Sequence, residues 1–150
     1  MSDGDRAGEF GRISLPALRR IRDLWIQLEP LVSDTGYDDS IDPTELHLEL
    51  TDGLGPAETA RIDVQWSELD HYSFHYVDHR GGNWRFDRHP NTHSPPKRFH
   101  PPPDAPTDGA EPSCIRIEGV SLVTRAVQAL WRAAYENDDL GRLNGLSNPP

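Results

Sequence analysis

From Glu45 to Asp87 the chain keeps a two-residue rhythm of apolar and polar side chains, and this rhythm limits the available folds more than any other feature. Leu46, Leu48 and Leu50 alternate with His47 and Glu49, and Ile62, Val64 and Trp66 alternate with Arg61, Asp63 and Gln65. Tyr72, Phe74 and Tyr76 alternate with Ser73 and His75, and Trp84 and Phe86 flank Arg85. Successive side chains of a strand point to opposite faces, so each run reads as a half-buried strand. The separators TDGLGPAETA, SELD and DHRGGN are rich in turn formers, and Gly81-Gly82-Asn83 suits a tight hairpin. The expected sheet is a four-stranded antiparallel meander with one apolar and one polar face.

Helical periodicity flanks this block. Ser14 is an expected N-cap, Pro16 falls in the first turn, and Leu15, Leu18, Ile21, Trp25 and Leu28 recur at steps of three and four until Pro30. The segment SDTGYDDSIDPT that follows is acidic and turn-forming. A second helix, capped by Ser121, would bury Val123, Val127, Leu130, Trp131 and Ala134. Between sheet and second helix runs RHPNTHSPPKRFHPPPDAPTDGAEPS, where proline excludes a helix or a central strand. It is either a linker or an ordered loop laid over the sheet. The expected fold class is therefore α+β, with an N-terminal and a C-terminal helix packed on one face of the sheet. Residues 1–12 read as a flexible tail, 13–136 as a single domain including the His/Pro-rich loop 88–113, and 137–150 as a second tail.

Hydrophobic residues make up only 35% of the 150 residues, so the core should be modest. The single cysteine, Cys114, excludes an internal disulfide and a cysteine-based metal site, which suits a reducing, cytoplasmic setting. The N-terminus has no apolar signal region and no run reaches membrane-spanning length, so no membrane partner is expected. Acidic residues outnumber basic ones 25 to 15, and Lys97 is the only lysine, a balance that suits a halophile. In about 1 M salt the Debye length is roughly 3 Å, so a nucleic acid would have to be held by contacts, stacking and hydrogen bonds.

Six of the seven histidines fall between His71 and His100. The same stretch carries Arg80, Arg85, Arg88, Lys97 and Arg98 against Asp78 and Asp87, a basic island in a chain of formal charge −10. With the aromatic and aliphatic positions turned inward, the polar face displays His47, Glu49, Arg61, Asp63, Gln65, Ser73, His75, Arg85 and Asp87. The loop with His89, His93 and His100 leaves from its edge. Such a patch suits metal-independent cleavage of RNA: imidazoles move protons, a guanidinium stabilises charge on phosphorus, and a carboxylate orients a ring. His75 with His89 or His93 is the expected acid/base pair, Arg85 the charge stabiliser and Asp87 the orienting group, with His100 as a further catalytic candidate. Ser73, Arg88, Lys97 and Arg98 are the expected nucleic-acid contacts. Tyr72, Phe74, Tyr76, Trp84 and Phe86 are expected to pack the core rather than stack on bases.

Two other classes compete. His89, His93 and His100 could ligate zinc, but the loop between them does not align their rings. His71 and His75 stand roughly 13 Å apart on one strand. No metal or other cofactor is therefore expected. The second rival is a non-catalytic module whose basic loop docks a nucleic acid or a protein.

The stretch YSFHYVDHRGGNWRFDRHPNTHSPPKRFHPPPD also resembles a region of the TumE family, the toxins of a class of prokaryotic toxin–antitoxin modules. Tyr72, Ser73, His75, Asp78, Arg85, Asp87, His93 and His100 fall on the family pattern. The sequence departs from it where relatives carry paired histidines, having Pro-Asn-Thr-His and then Arg98-Phe99-His100. The resemblance implies a small growth-inhibiting toxin acting on RNA, a candidate endoribonuclease, neutralised by a separately encoded antitoxin. A small helix-turn-helix protein is the antitoxin to look for. A homodimer is left open.

Overall fold

The computed structural model describes residues 9–89, 97–106 and 108–145. Its centre is one antiparallel sheet in which every strand pairs with its sequence neighbour: β1 (Val32–Tyr37), β2 (Leu46–Leu50), β3 (Ala60–Trp66), β4 (Tyr72–Asp78), β5 (Asn83–Arg88), β6 (Lys97–His100) and β7 (Glu111–Pro112). Helices α1 (Leu15–Leu28) and α2 (Val120–Asn137) complete an α+β architecture. No helix among the described residues is long and apolar enough to cross a membrane.

The meander is as the alternation predicts, but it has seven strands rather than four. Each of the three added strands buries too little to carry the alternating signature. Strand β1 is an edge strand of sequence VSDTGY, half-exposed along its length. Strand β6 contributes a single apolar residue, Phe99, and lies within the stretch that prolines marked as loop. No proline falls inside it, and Pro112 of β7 sits at the sheet edge, where a missing donor is tolerated.

The inner face holds Leu46, Leu48, Leu50, Ile62, Val64, Trp66, Phe74, Tyr76, Trp84 and Phe86, all buried in one cluster with both helices. Tyr76 stacks on Trp84 with centroids 5.5 Å apart, and Trp131 of α2 reaches the same ring at 5.4 Å. Those aromatics therefore serve packing, as expected. Ser14 caps α1 through its hydroxyl, which accepts from the Ala17 amide at 3.3 Å. The cap of α2 is Gly119 rather than Ser121, and its φ of +92° turns the chain into the helix at little cost only for glycine.

The two helices run side by side in the same direction. Arg20 of α1 donates to Ser121 in the first turn of α2, and Gln128, midway along α2, donates to the carbonyl of Leu28 at the end of α1. Glu29, 1% exposed, closes α1 and takes donors from Gln128, Arg132 and the Leu31 amide. Beyond α2 the described residues stay engaged. Leu143 in a short 3-10 helix, Leu140–Asn144, is fully buried, and the Asn144 amide donates to Glu111 and to the Pro112 carbonyl. This segment fastens β7 and is no free tail.

Removing one partner of a buried ion pair strands the other charge away from water. Arg132→Ala should accordingly lower the unfolding free energy by about 3 kcal/mol. Urea denaturation reads this directly, and an unchanged midpoint would show that Glu29 does not depend on Arg132.

Candidate functional site

Strand pairing writes the polar face as two rows. In one, His47 of β2 stands beside Asp63 of β3, Asp63 beside His75 of β4, His75 beside Arg85 of β5, and Arg85 beside His100 of β6. In the other, Gln65 of β3, Ser73 of β4, Asp87 of β5 and Arg98 of β6 follow one another. Parity alone puts these side chains outward, because their neighbours fill the core.

Asp87 ties the rows together. It is only 6% exposed, and its Oδ2 accepts from Arg85 Nε at 3.0 Å and lies 2.9 Å from His100 Nε2. Its Oδ1 accepts from Arg98 Nε at 3.2 Å. A carboxylate held out of water needs such donors, and two guanidinium groups with one imidazole supply them. The His100 ring is fully buried, and its Nδ1 donates to the Pro106 carbonyl at 2.9 Å. That carbonyl can only accept, so Nε2 is left facing Asp87 and the Arg85 Nη2 at 3.2 Å. Charged, the ring donates to Asp87; neutral, it accepts from Arg85.

The segment 101–106 runs beside β5 as a strap. Its Pro103 carbonyl accepts from the Asn83 backbone amide at 2.8 Å and from Asn83 Nδ2 at 3.1 Å. Gly81 O accepts from the same side-chain amide at 3.3 Å. With Nδ2 so occupied, Asn83 Oδ1 must be the acceptor for His75 Nε2 at 3.2 Å. In the neutral His75 ring the lone pair then lies on Nδ1. The strap thereby sets the hydrogen-bonding role of two histidines, one through Asn83 and one directly.

An open cleft of about 600 Å³ lies over the second row, lined by Gln65, Ser73, Arg85, Asp87, Arg98 and His89, with Phe10 and Tyr72 beside them. Burial holds the Tyr72 hydroxyl well above its ordinary range, so it remains a neutral phenol. His89 stands just past β5 with its ring 5.8 Å from that of Phe10.

The expected site residues thus divide. Ser73, Arg85, Asp87, His89 and Arg98 meet at the cleft, and His75 stands across from Arg85. His100 reaches Arg85 and Asp87 but has no exposed surface, so it orients its neighbours rather than meeting a ligand. The orienting role expected of Asp87 falls on His100, while His75 is held by Asn83. Arg88 and Lys97 do not line the cleft: Arg88 donates to the Asp70 carbonyl, and Lys97 to the Arg116 and Ile117 carbonyls. His93 lies outside the described residues. His71 Nδ1 donates to the Phe10 carbonyl at 2.9 Å, and His79 sits in the β4–β5 turn near Thr59.

Two contributors were not singled out from sequence. In the sequence Asn83 carries only a turn signal, and Phe10 falls in a stretch that reads as a tail. Phe10 is an isolated aromatic in a polar tail, which was its only signal. Among the described residues, Glu45, His47 and Asp63 form the group whose ligand atoms could surround a cation. Arg61 already donates to both Asp63 oxygens, at 2.6 and 3.0 Å, and Glu45 lies 2.7 Å from His47. Those contacts give each of the three residues a partner within the protein.

A family model described as Toxin TumE matches residues 18–137 of the chain. No curated protein and no solved structure matches it.

Asp87→Asn keeps the volume but replaces an acceptor oxygen by a donor facing two guanidinium groups. It should cost about 3 kcal/mol of stability, as breaking a buried charge network does. Thermal or urea unfolding would measure the loss, and a variant as stable as the parent would show that the network does not hold β5 and β6 together.

Proposed function

The chain belongs to the TumE toxin family, and from that premise we propose that it is a toxin that cleaves RNA without a metal, using His75, His89 and Arg85. The family implies an antitoxin partner, and a small helix-turn-helix protein is the proposed form of it. In the proposed reaction His75 Nδ1 takes the proton of a ribose 2′-hydroxyl, and that oxygen attacks the adjacent phosphorus. Arg85, with Arg98 beside it, faces the charge that builds on the non-bridging oxygens. Protonated His89 gives its proton to the 5′-oxygen as the P–O bond breaks. The products are a 2′,3′-cyclic phosphate and a 5′-hydroxyl, with no water or metal required in the cleavage step.

The observation that carries this reading is the position of Arg85. It pairs across the strands with His75, is anchored by the Asp87 carboxylate, and lines the cleft that His89 also lines. Along β5 the separation of residues 85 and 89 is roughly 13 Å between Cα atoms. Both histidines lie on the same side by parity, leaving space for a ribose-phosphate unit between imidazoles that reach inward. His93 is the alternative acid that the sequence offers.

His75→Ala and His89→Ala should each reduce cleavage of a single-stranded RNA by about 10²-fold or more, with the circular dichroism spectrum unchanged. Cleavage by the parent protein should continue in excess chelator. If both variants retain full growth inhibition, the acid/base assignment fails and a non-catalytic binding module takes its place.

A further inference from the structure

The cleft contains two kinds of side chain, and only one kind is occupied. Arg85, Asp87 and Arg98 are bound to one another through the Asp87 carboxylate. Gln65 and Ser73 stand next to them in register, and neither side chain takes part in a hydrogen bond among the described residues. Both line the cleft, each presenting donors and acceptors to it.

Above them stands an aromatic wall. The rings of Phe10 and His89 lie 5.8 Å apart and both line the cleft. Phe10 is held in place by its surroundings. Its carbonyl accepts from His71 Nδ1 at 2.9 Å, the next residue turns at φ +103°, and Ile13 bridges to Ser67. A Cβ on Gly11 would meet Leu69 at 2.9 Å, so the turn that delivers Phe10 to the cleft admits only glycine without displacement of that side chain.

A ring wall, a free carboxamide and a free hydroxyl next to two guanidinium groups have one chemistry in common. We propose that the cleft is a nucleobase subsite: one unpaired base of a single-stranded RNA stacks on Phe10 and His89, Gln65 and Ser73 hydrogen-bond its edge, and the adjoining phosphate meets Arg85 and Arg98. Every base has a π face, so stacking supplies affinity for any base, while the carboxamide supplies preference among them. A base in a duplex could not enter, which restricts the substrate to single strands. The subsite rests on the reading of the protein as an RNA-cleaving toxin, but it can be tested without cleavage.

The test uses the full chain and four 2′-O-methyl hexanucleotides, one per base at the central position, which bind but cannot be cleaved. A hexamer with an abasic central residue is the control. The base-bearing hexamers should bind about tenfold more tightly than the abasic one. Phe10→Leu, which keeps an apolar side chain but removes the ring, should erase that difference and leave abasic binding unchanged. Phe10→Trp should restore it, and Gln65→Ala should change the order of preference among the four bases. Equal binding of base-bearing and abasic hexamers, or a Phe10→Leu variant that discriminates like the parent, overturns the subsite while leaving RNA cleavage standing. Binding of none of the five oligonucleotides overturns the subsite and the RNA reading together.

Discussion

A carboxylate that is nearly withdrawn from water organises the outer half of this protein. Asp87 lies on β5 with 6% of its surface exposed, and burying such a group is costly unless cations and donors surround it. The sheet meets that demand by adding β6, which brings Arg98 and His100 to Asp87 from one side while Arg85 reaches it along its own strand. Once His100 is buried there, its second nitrogen needs an acceptor, and the strap provides the Pro106 carbonyl. The same strap provides the Pro103 carbonyl for Asn83, which in turn holds His75. The strap 101–106 thus stays against the sheet because it completes hydrogen bonds that the site cannot leave unmade.

The arrangement also separates positioning from reactivity. The groups most withdrawn from water, Asp87 and His100, fix their neighbours. The groups that line the cleft or stand at its edge, Arg85, His89, Arg98 and His75, are those left to meet a ligand. This division suits a site built on a sheet, since a side chain locked by packing and hydrogen bonds holds a geometry that a loop would not.

Much of this was legible in the sequence because alternation is a strong physical signal. Tyr72, Phe74 and Tyr76 declared the inner face of β4, which placed Ser73 and His75 outward, and Trp84 and Phe86 did the same for Arg85 and Asp87. Strands β1, β6 and β7 left no such signature, since an edge strand or a four-residue strand buries too few side chains to show a period. The burial of His100 was hidden for a different reason. It follows from a strap that crosses over the ring, and spacing along the chain says nothing about what lies above a side chain. Phe10 and Asn83 were missed because their roles come from tertiary neighbours, His89 and His75, rather than from their own sequence surroundings.

The central claim is that this face of the sheet cleaves RNA through the ribose 2′-hydroxyl. The chemical ends of the fragments released by the purified protein in excess chelator test it most directly, by mass spectrometry. The account predicts 2′,3′-cyclic phosphate at one end and a 5′-hydroxyl at the other. Fragments bearing a 5′-phosphate and a 3′-hydroxyl, or cleavage that stops when metal is removed, would contradict it.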